Sequence, residues 1–180
     1  MNIIKNIYYS FKYFTTLANV LLIICVFLHY LKKNYSHKFT KSQIQTINNI
    51  LALNYGVTMA ASITGIIIVN VYDCCAIMKG KYKYNLELIR ILDFAHHIIP
   101  LIVATYIAPE SNDVSINRIF LYSSFLILAI PYVALVNAEK LYVNVPSYIV
   151  YYMPIIVSFI TSYIKYPPNK KPHFKQPFQP

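Results

Sequence analysis

An arginine, an aspartate and two histidines stand close together in RILDFAHHIIPL, residues 90–101, inside an otherwise apolar run. A carboxylate beside imidazoles can hold a metal ion, exchange a proton as general acid and base, or pass protons along a relay. On a helix at about 100° per residue, with Asp93 set to 0°, Arg90 falls near +60°, His96 near −60°, His97 near +40°, Pro100 near −20° and Ala104 near +20°. All the ionisable groups therefore share one arc. Asp93 reaches His96 at three residues and His97 at four, spacings at which helical side chains meet. Ile91, Ala95, Ile98, Ile102, Thr105 and Tyr106 fill the opposite arc, which suits lipid. Asp93, His96 and His97 are the candidate catalytic residues and the candidate metal ligands. Consecutive histidines point their rings about 100° apart, so one helix cannot close a metal site, and a ligand such as His29 or Glu139 is required. The competing expectation is a structural polar seam, in which Arg90 snorkels to the interface and Asp93 bonds one histidine.

Other positions could meet this stripe. Asn54, Thr58, Ala61 and Gly65 fall within one narrow arc of a second apolar run, a small and polar face on which another helix could dock closely. Asn19, Asn137, Ser158 and Ser162 are further polar candidates within or at the ends of apolar runs. Cys74 and Cys75 lie just after the second run beside Lys79, Lys81 and Lys83, a juxtamembrane setting for S-palmitoylation, although inert thiols are the plainer expectation. With Cys25 inside the first run, the three cysteines imply no disulfide framework. Asn34-Tyr35-Ser36 is a glycosylation sequon set against the end of the first run.

The segment FAHHIIPLIVATY, residues 94–106, resembles the His-His helix of the TLC domain, the membrane-embedded domain of ceramide synthases and related lipid proteins. The resemblance implies that His96 and His97 are catalytic in acyl transfer to a lipid. It rests on the paired histidines. The acidic HD-x-x-D pattern of ceramide synthases is missing downstream, where this chain reads LYSSFLILAIPYVALVNAEK.

The elements that would carry these residues are long apolar runs. Of the 180 residues, 57% are hydrophobic and 12% charged, a composition that sets the chain apart from soluble domains. Five runs, at 14–31, 50–72, 88–108, 119–136 and 145–164, approach the roughly 20 residues a helix needs to cross the hydrocarbon core. Bare backbone has no partner in lipid, so such runs must be helices, and the fold class predicted is an all-α polytopic transmembrane bundle. Residues 1–13 read as a short interfacial segment and the first run as an uncleaved signal anchor. Tyrosines gather near run ends, as at a membrane interface. Pro131 and Pro154 interrupt the fourth and fifth runs and predict kinks. Residues 165–180, KYPPNKKPHFKQPFQP, are too rich in Pro and Lys to pack and read as a disordered basic tail.

Charge and length disagree over topology. Five spans divide the 16 Lys and Arg seven against nine, whereas four spans, with a re-entrant third segment, divide them eleven against five. The positive-inside rule favours four and apolar length favours five, which is the count adopted. The basic excess sits between and beyond the runs, where it meets lipid headgroups and not nucleic acid. No phosphate loop, nucleotide fingerprint or HExxH is present. The expected role is a multi-pass integral membrane protein, structural or a subunit of a membrane assembly. Its expected partners are the bilayer and other membrane proteins or copies of itself. No cofactor is expected unless the histidines bind metal. The alternative is a membrane-embedded lipid-modifying enzyme or proton-linked carrier acting through Asp93, His96 and His97.

Overall fold

A computed structural model describes residues 14–71, 86–126, 129 and 145–168, and among these the secondary structure is helical with no strand. The helices are α1 (Phe14–Asn34), α2 (Lys41–Val71), α3 (Leu86–Ile107), the short α4 (Arg118–Tyr122) and α5 (Ser147–Lys165). Single 3-10 turns at Ser36–Lys38 and Ser111–Asp113 lie in the α1–α2 and α3–α4 connections.

The start of α2 is nine residues earlier than the apolar run suggests, because a reciprocal cap fixes it. Gln43 N–H donates to Thr40 Oγ1 at 3.2 Å, and Thr40 N–H donates to Gln43 Oε1 at 2.8 Å, so the T-x-x-Q sequence satisfies two orphan donors at once. The 31 residues of α2 extend about 46 Å, well beyond a hydrocarbon core of about 30 Å. The polar first turns therefore project past the apolar part and hold the rest of that end together. Lys32 donates to Asn48 Oδ1 at 2.8 Å, and Gln45 and Asn48 donate to the Asp113 carbonyl at 2.6 and 3.3 Å. Asn49 Oδ1 accepts from the backbone N–H of Ser115 and Ile116 at 3.0 and 3.2 Å.

α2 is the axis of the bundle. It packs against α1, α3, α4 and α5, and 61% of its membrane-length stretch is buried, against 22% for α1 and 17% for α5. Residue pairings give the directions. α1 and α3 run parallel, with Asn19 beside His96 and His29 beside Tyr106, the same offset of 77 residues. α2 runs against α3, since its Asn49 meets Ser115 while Gly65 meets His97. Tyr122, two residues before Ser124, packs its ring edge-on against Phe159 and at a tilt against Tyr163, and its phenol donates to the Tyr166 carbonyl at 2.7 Å. The C-terminal ends of α1, α3 and α5 thus gather where α2 and α4 begin. One core cluster at that end joins Leu22, Cys25, Leu51, Tyr55, Ile107, Leu121, Tyr122 and Tyr166, and a second joins Ala18, Val57, Ala60, Ala61 and Phe125.

Three helices, at Thr15–Asn34, Lys41–Ile68 and Tyr148–Lys165, are long and apolar enough to cross a membrane. The predicted span at 88–108 is a continuous helix, with Glu87, Arg90 and Asp93 in its first turns. The predicted span at 119–136 begins with α4, which gives way to a turn at Ser123 before residues 124–126 are helical again. Half of that span lies outside the described residues, together with Pro131, Asn137, Glu139, Cys74, Cys75, residues 1–13 and the tail beyond Pro168. Pro154 is buried within α5.

Candidate functional site

Pro100 organises the histidine segment. A proline has no N–H to give to the residue four before it, which frees the carbonyl of His96 in the middle of α3. Asn19 of α1 fills that place: its Nδ2 donates to the His96 carbonyl at 3.4 Å and stands 3.4 Å from both ring nitrogens of His96. The polar residue on α1 thus answers a gap made by the sequence of α3, one way in which a neighbouring helix compensates an internal proline.

His97 points the other way, into the bundle, and is 5% exposed. It fits because residue 65 of α2 is glycine: a Cβ there would fall against the His97 ring. His96 is exposed at the edge of the inward arc, and the two rings meet edge-to-face with centroids 5.4 Å apart. The difference follows from helical phase, since Pro100, Ala104 and Ile107, near the centre of the arc, are all buried. Asp93 and Arg90 lie on α3, but their side chains fall outside the described residues.

His29 does not join this pair. Its ring lies 6.1 Å from that of Tyr106, and ten helical residues separate Tyr106 from His96, about 15 Å along the axis. Among the described residues no three His, Cys, Asp or Glu side chains come together as a metal site. Cys25 is buried. Asn34 ends α1, and its amide donates back to the Tyr30 carbonyl at 2.9 Å.

The face at Asn54, Thr58, Ala61 and Gly65 is interior, and several helices share it. Gly65 receives His97 of α3, whereas Ala61 packs with Ala18 of α1 and Phe125, with Tyr151 and Ile155 of α5 against the same cluster. Two residues next to this arc were not singled out by sequence, Ser62 and Thr64, both buried. Gly56 is a third omission. A Cβ on it would collide with the hydroxyls of Ser124, Ser158 and Ser162, and Ser124 and Ser158 are themselves 3.3 Å apart. The signal was available in the scarcity of glycine, three in the whole chain, and in the small-xxx-small spacing of Ser158 and Ser162. Gly56 and Gly65 are nine residues apart, hence about 180° around α2, and so admit α5 and α3 on opposite sides.

No family model matches the chain, and neither the curated proteins nor the solved structures searched contain a similar one. The likeness to the TLC domain stays confined to residues 94–106.

Proposed function

We propose that the chain is a five-pass integral membrane protein acting as a structural component or subunit of a membrane assembly rather than as a catalyst. The observation that carries the membrane reading is the apolar surface of the bundle together with the small and polar residues in its interior. Large apolar side chains face outward, among them Ile23 (69% exposed), Phe27, Ile91, Ile102 (60%), Ile156 and Ile164. Serine, threonine, asparagine, alanine and glycine sit in the centre among Leu51, Tyr55, Leu121 and Tyr166. In water that arrangement would expose far more contiguous apolar surface than a monomer tolerates. In lipid it is the expected one, because small interior residues let helices approach. Five passes are supported by the alternation of direction, with α1, α3 and α5 pointing one way and α2 and α4 the other.

The partners proposed are the bilayer and other membrane proteins or further copies of this chain. Tags on the two termini, probed from each side of sealed vesicles, should report opposite faces, whereas both on one face would reduce the count to four. Native electrophoresis of mildly solubilised membranes should find the protein well above the size of one copy, and migration as a single copy would sink the assembly.

One observation favours a second reading, an enzyme or proton-linked carrier using Asp93, His96 and His97: an ionisable His97 is buried at mid-helix instead of facing a headgroup. The structural role predicts no stoichiometric zinc or iron in the purified protein and a His97→Gln effect on accumulation alone. Bound metal lost on that substitution would favour the catalytic alternative.

A further inference from the structure

Polar side chains toward the outside of a membrane bundle can hide their polar atoms against their own helix. Thr105, Ser123 and Thr161 do so, each donating its hydroxyl to the carbonyl one turn back at 2.8 Å. His96 does not follow them. Its side chain is exposed even though Asn19 lies against it, 3.4 Å from both ring nitrogens. His97, about 100° further round the helix, faces α2, so the two histidines divide between outside and inside. His96 stands eleven residues before Ile107, where α3 ends, hence about 16 Å along the axis and near the middle of a hydrocarbon core of about 30 Å. Its outer neighbours Ile99 and Ile102 are exposed and apolar. At that depth neither water nor a headgroup meets the exposed part of the ring.

A second copy of the chain is the partner that fits. Copies inserted by the same route cross the membrane in one direction, so a two-fold axis relating them lies along the membrane normal, and each residue near it meets its counterpart at its own depth. A neutral imidazole carries one donor and one acceptor nitrogen. Two of them can therefore pair, and no charge enters the lipid, whereas a foreign helix bearing a charged partner would have to carry that charge to mid-bilayer. We propose that two copies pack α3 against α3 across such an axis, with His96 hydrogen-bonded to His96 of the second copy and Ile99 packed beside the pair. Asn19 keeps its place, because it also donates to the His96 carbonyl. The contact rests on the reading of the chain as a subunit of a membrane assembly, and it names the partner and the face.

Crosslinking in native membranes tests it. With the chain's own cysteines replaced by serine, Ile99→Cys leaves His96 intact and should form a disulfide between copies on mild oxidation. Ile156→Cys, exposed on α5 nine residues before its end, should form far less. His96→Leu keeps the carbonyl that Asn19 holds and should weaken the dimer by about 3- to 30-fold, read by energy transfer between labelled copies diluted into lipid. His96→Gln should weaken it less, because its amide also donates and accepts. Disulfide formation at Ile156 equal to that at Ile99, or a dimer indifferent to His96→Leu, would overturn the proposal. Native electrophoresis tells this failure from that of the wider reading. An assembly that forms without the Ile99 disulfide removes this contact alone, whereas a native protein of single-copy size removes the assembly and the contact together.

Discussion

Tyr166, just past the end of α5, is fully buried, and its phenol has no partner among the described residues, although its ring packs edge-to-face on Tyr55 at 5.8 Å. Its carbonyl, in contrast, accepts the phenol of Tyr122 at 2.7 Å. Two conservative changes should therefore act oppositely. Tyr122→Phe strands the carbonyl and should cost about 1 kcal/mol, while Tyr166→Phe removes an unpaired polar group and should leave thermal stability unchanged or raised. Burial first, then the neighbouring Tyr55 and Glu110, push the Tyr166 phenol above its ordinary value. A pKa raised by folding gives stability that is complete below the ordinary phenol value of about 10 and is lost as pH rises through the higher folded value. Alkaline unfolding, followed by circular dichroism, should consequently move to higher pH in Tyr166→Phe. Nothing in the sequence distinguishes this tyrosine from the seventeen others among its 18. Its environment depends on contacts with Tyr55 and Tyr122, more than forty residues away in the chain.

The helices, unlike these contacts, were largely legible, because an apolar run of membrane length has only one way to satisfy its backbone. Ends were less so: α2 begins at a capping box outside its apolar run, and α4 stops at Ser123, which no composition shift marks. The arc at Asn54, Thr58, Ala61 and Gly65 was readable from periodicity, whereas its division among α1, α3 and α5 needed the packing. Steric fit at the two glycines gives a prediction about whole helices. Gly65→Leu and Gly56→Leu should each lower accumulation in membranes, since overfilled interfaces cost about 1–3 kcal/mol or more, and Ile67→Leu should not. Combining Gly65→Ala with His97→Ala should restore what Gly65→Ala alone removes, because the imidazole is what the new methyl meets. Equal losses in the single and double variants would show that the fit is set elsewhere. The coupling of α1 to α3 is testable in the same way. Pro100→Ala should return the His96 carbonyl to its own helix, so that Asn19→Leu costs less in that background, by about 0.5 kcal/mol given the long 3.4 Å bond.

The bundle as a whole has one end whose connections are described. Tyr35, in the α1–α2 connection, and Asn112, in the α3–α4 connection, are both exposed there, held to the start of α2 through Asn48 and Asn49. Single cysteines at these two positions, in a chain whose own cysteines are replaced by serine, should react with a membrane-impermeant maleimide from the same side of sealed vesicles. A cysteine replacing Ile102, exposed on the apolar flank of α3, should react from neither. Labelling of Tyr35→Cys and Asn112→Cys from opposite sides would break the antiparallel order of α2 and α3.

The parallel pairing of α1 with α3 also sets an order of events during synthesis. Asn19 and His96 are 77 residues apart, which a ribosome adding about 5–20 residues per second covers in roughly 4–15 s. Lys32 and Asn48 are separated by only 16, so the α1–α2 hairpin can close long before α3 emerges. For that interval the amide of Asn19 sits at the flank of a two-helix intermediate with its eventual partner not yet made. A chain stalled between residues 71 and 86 should therefore leave that amide open to other helices until α3 arrives to cover it.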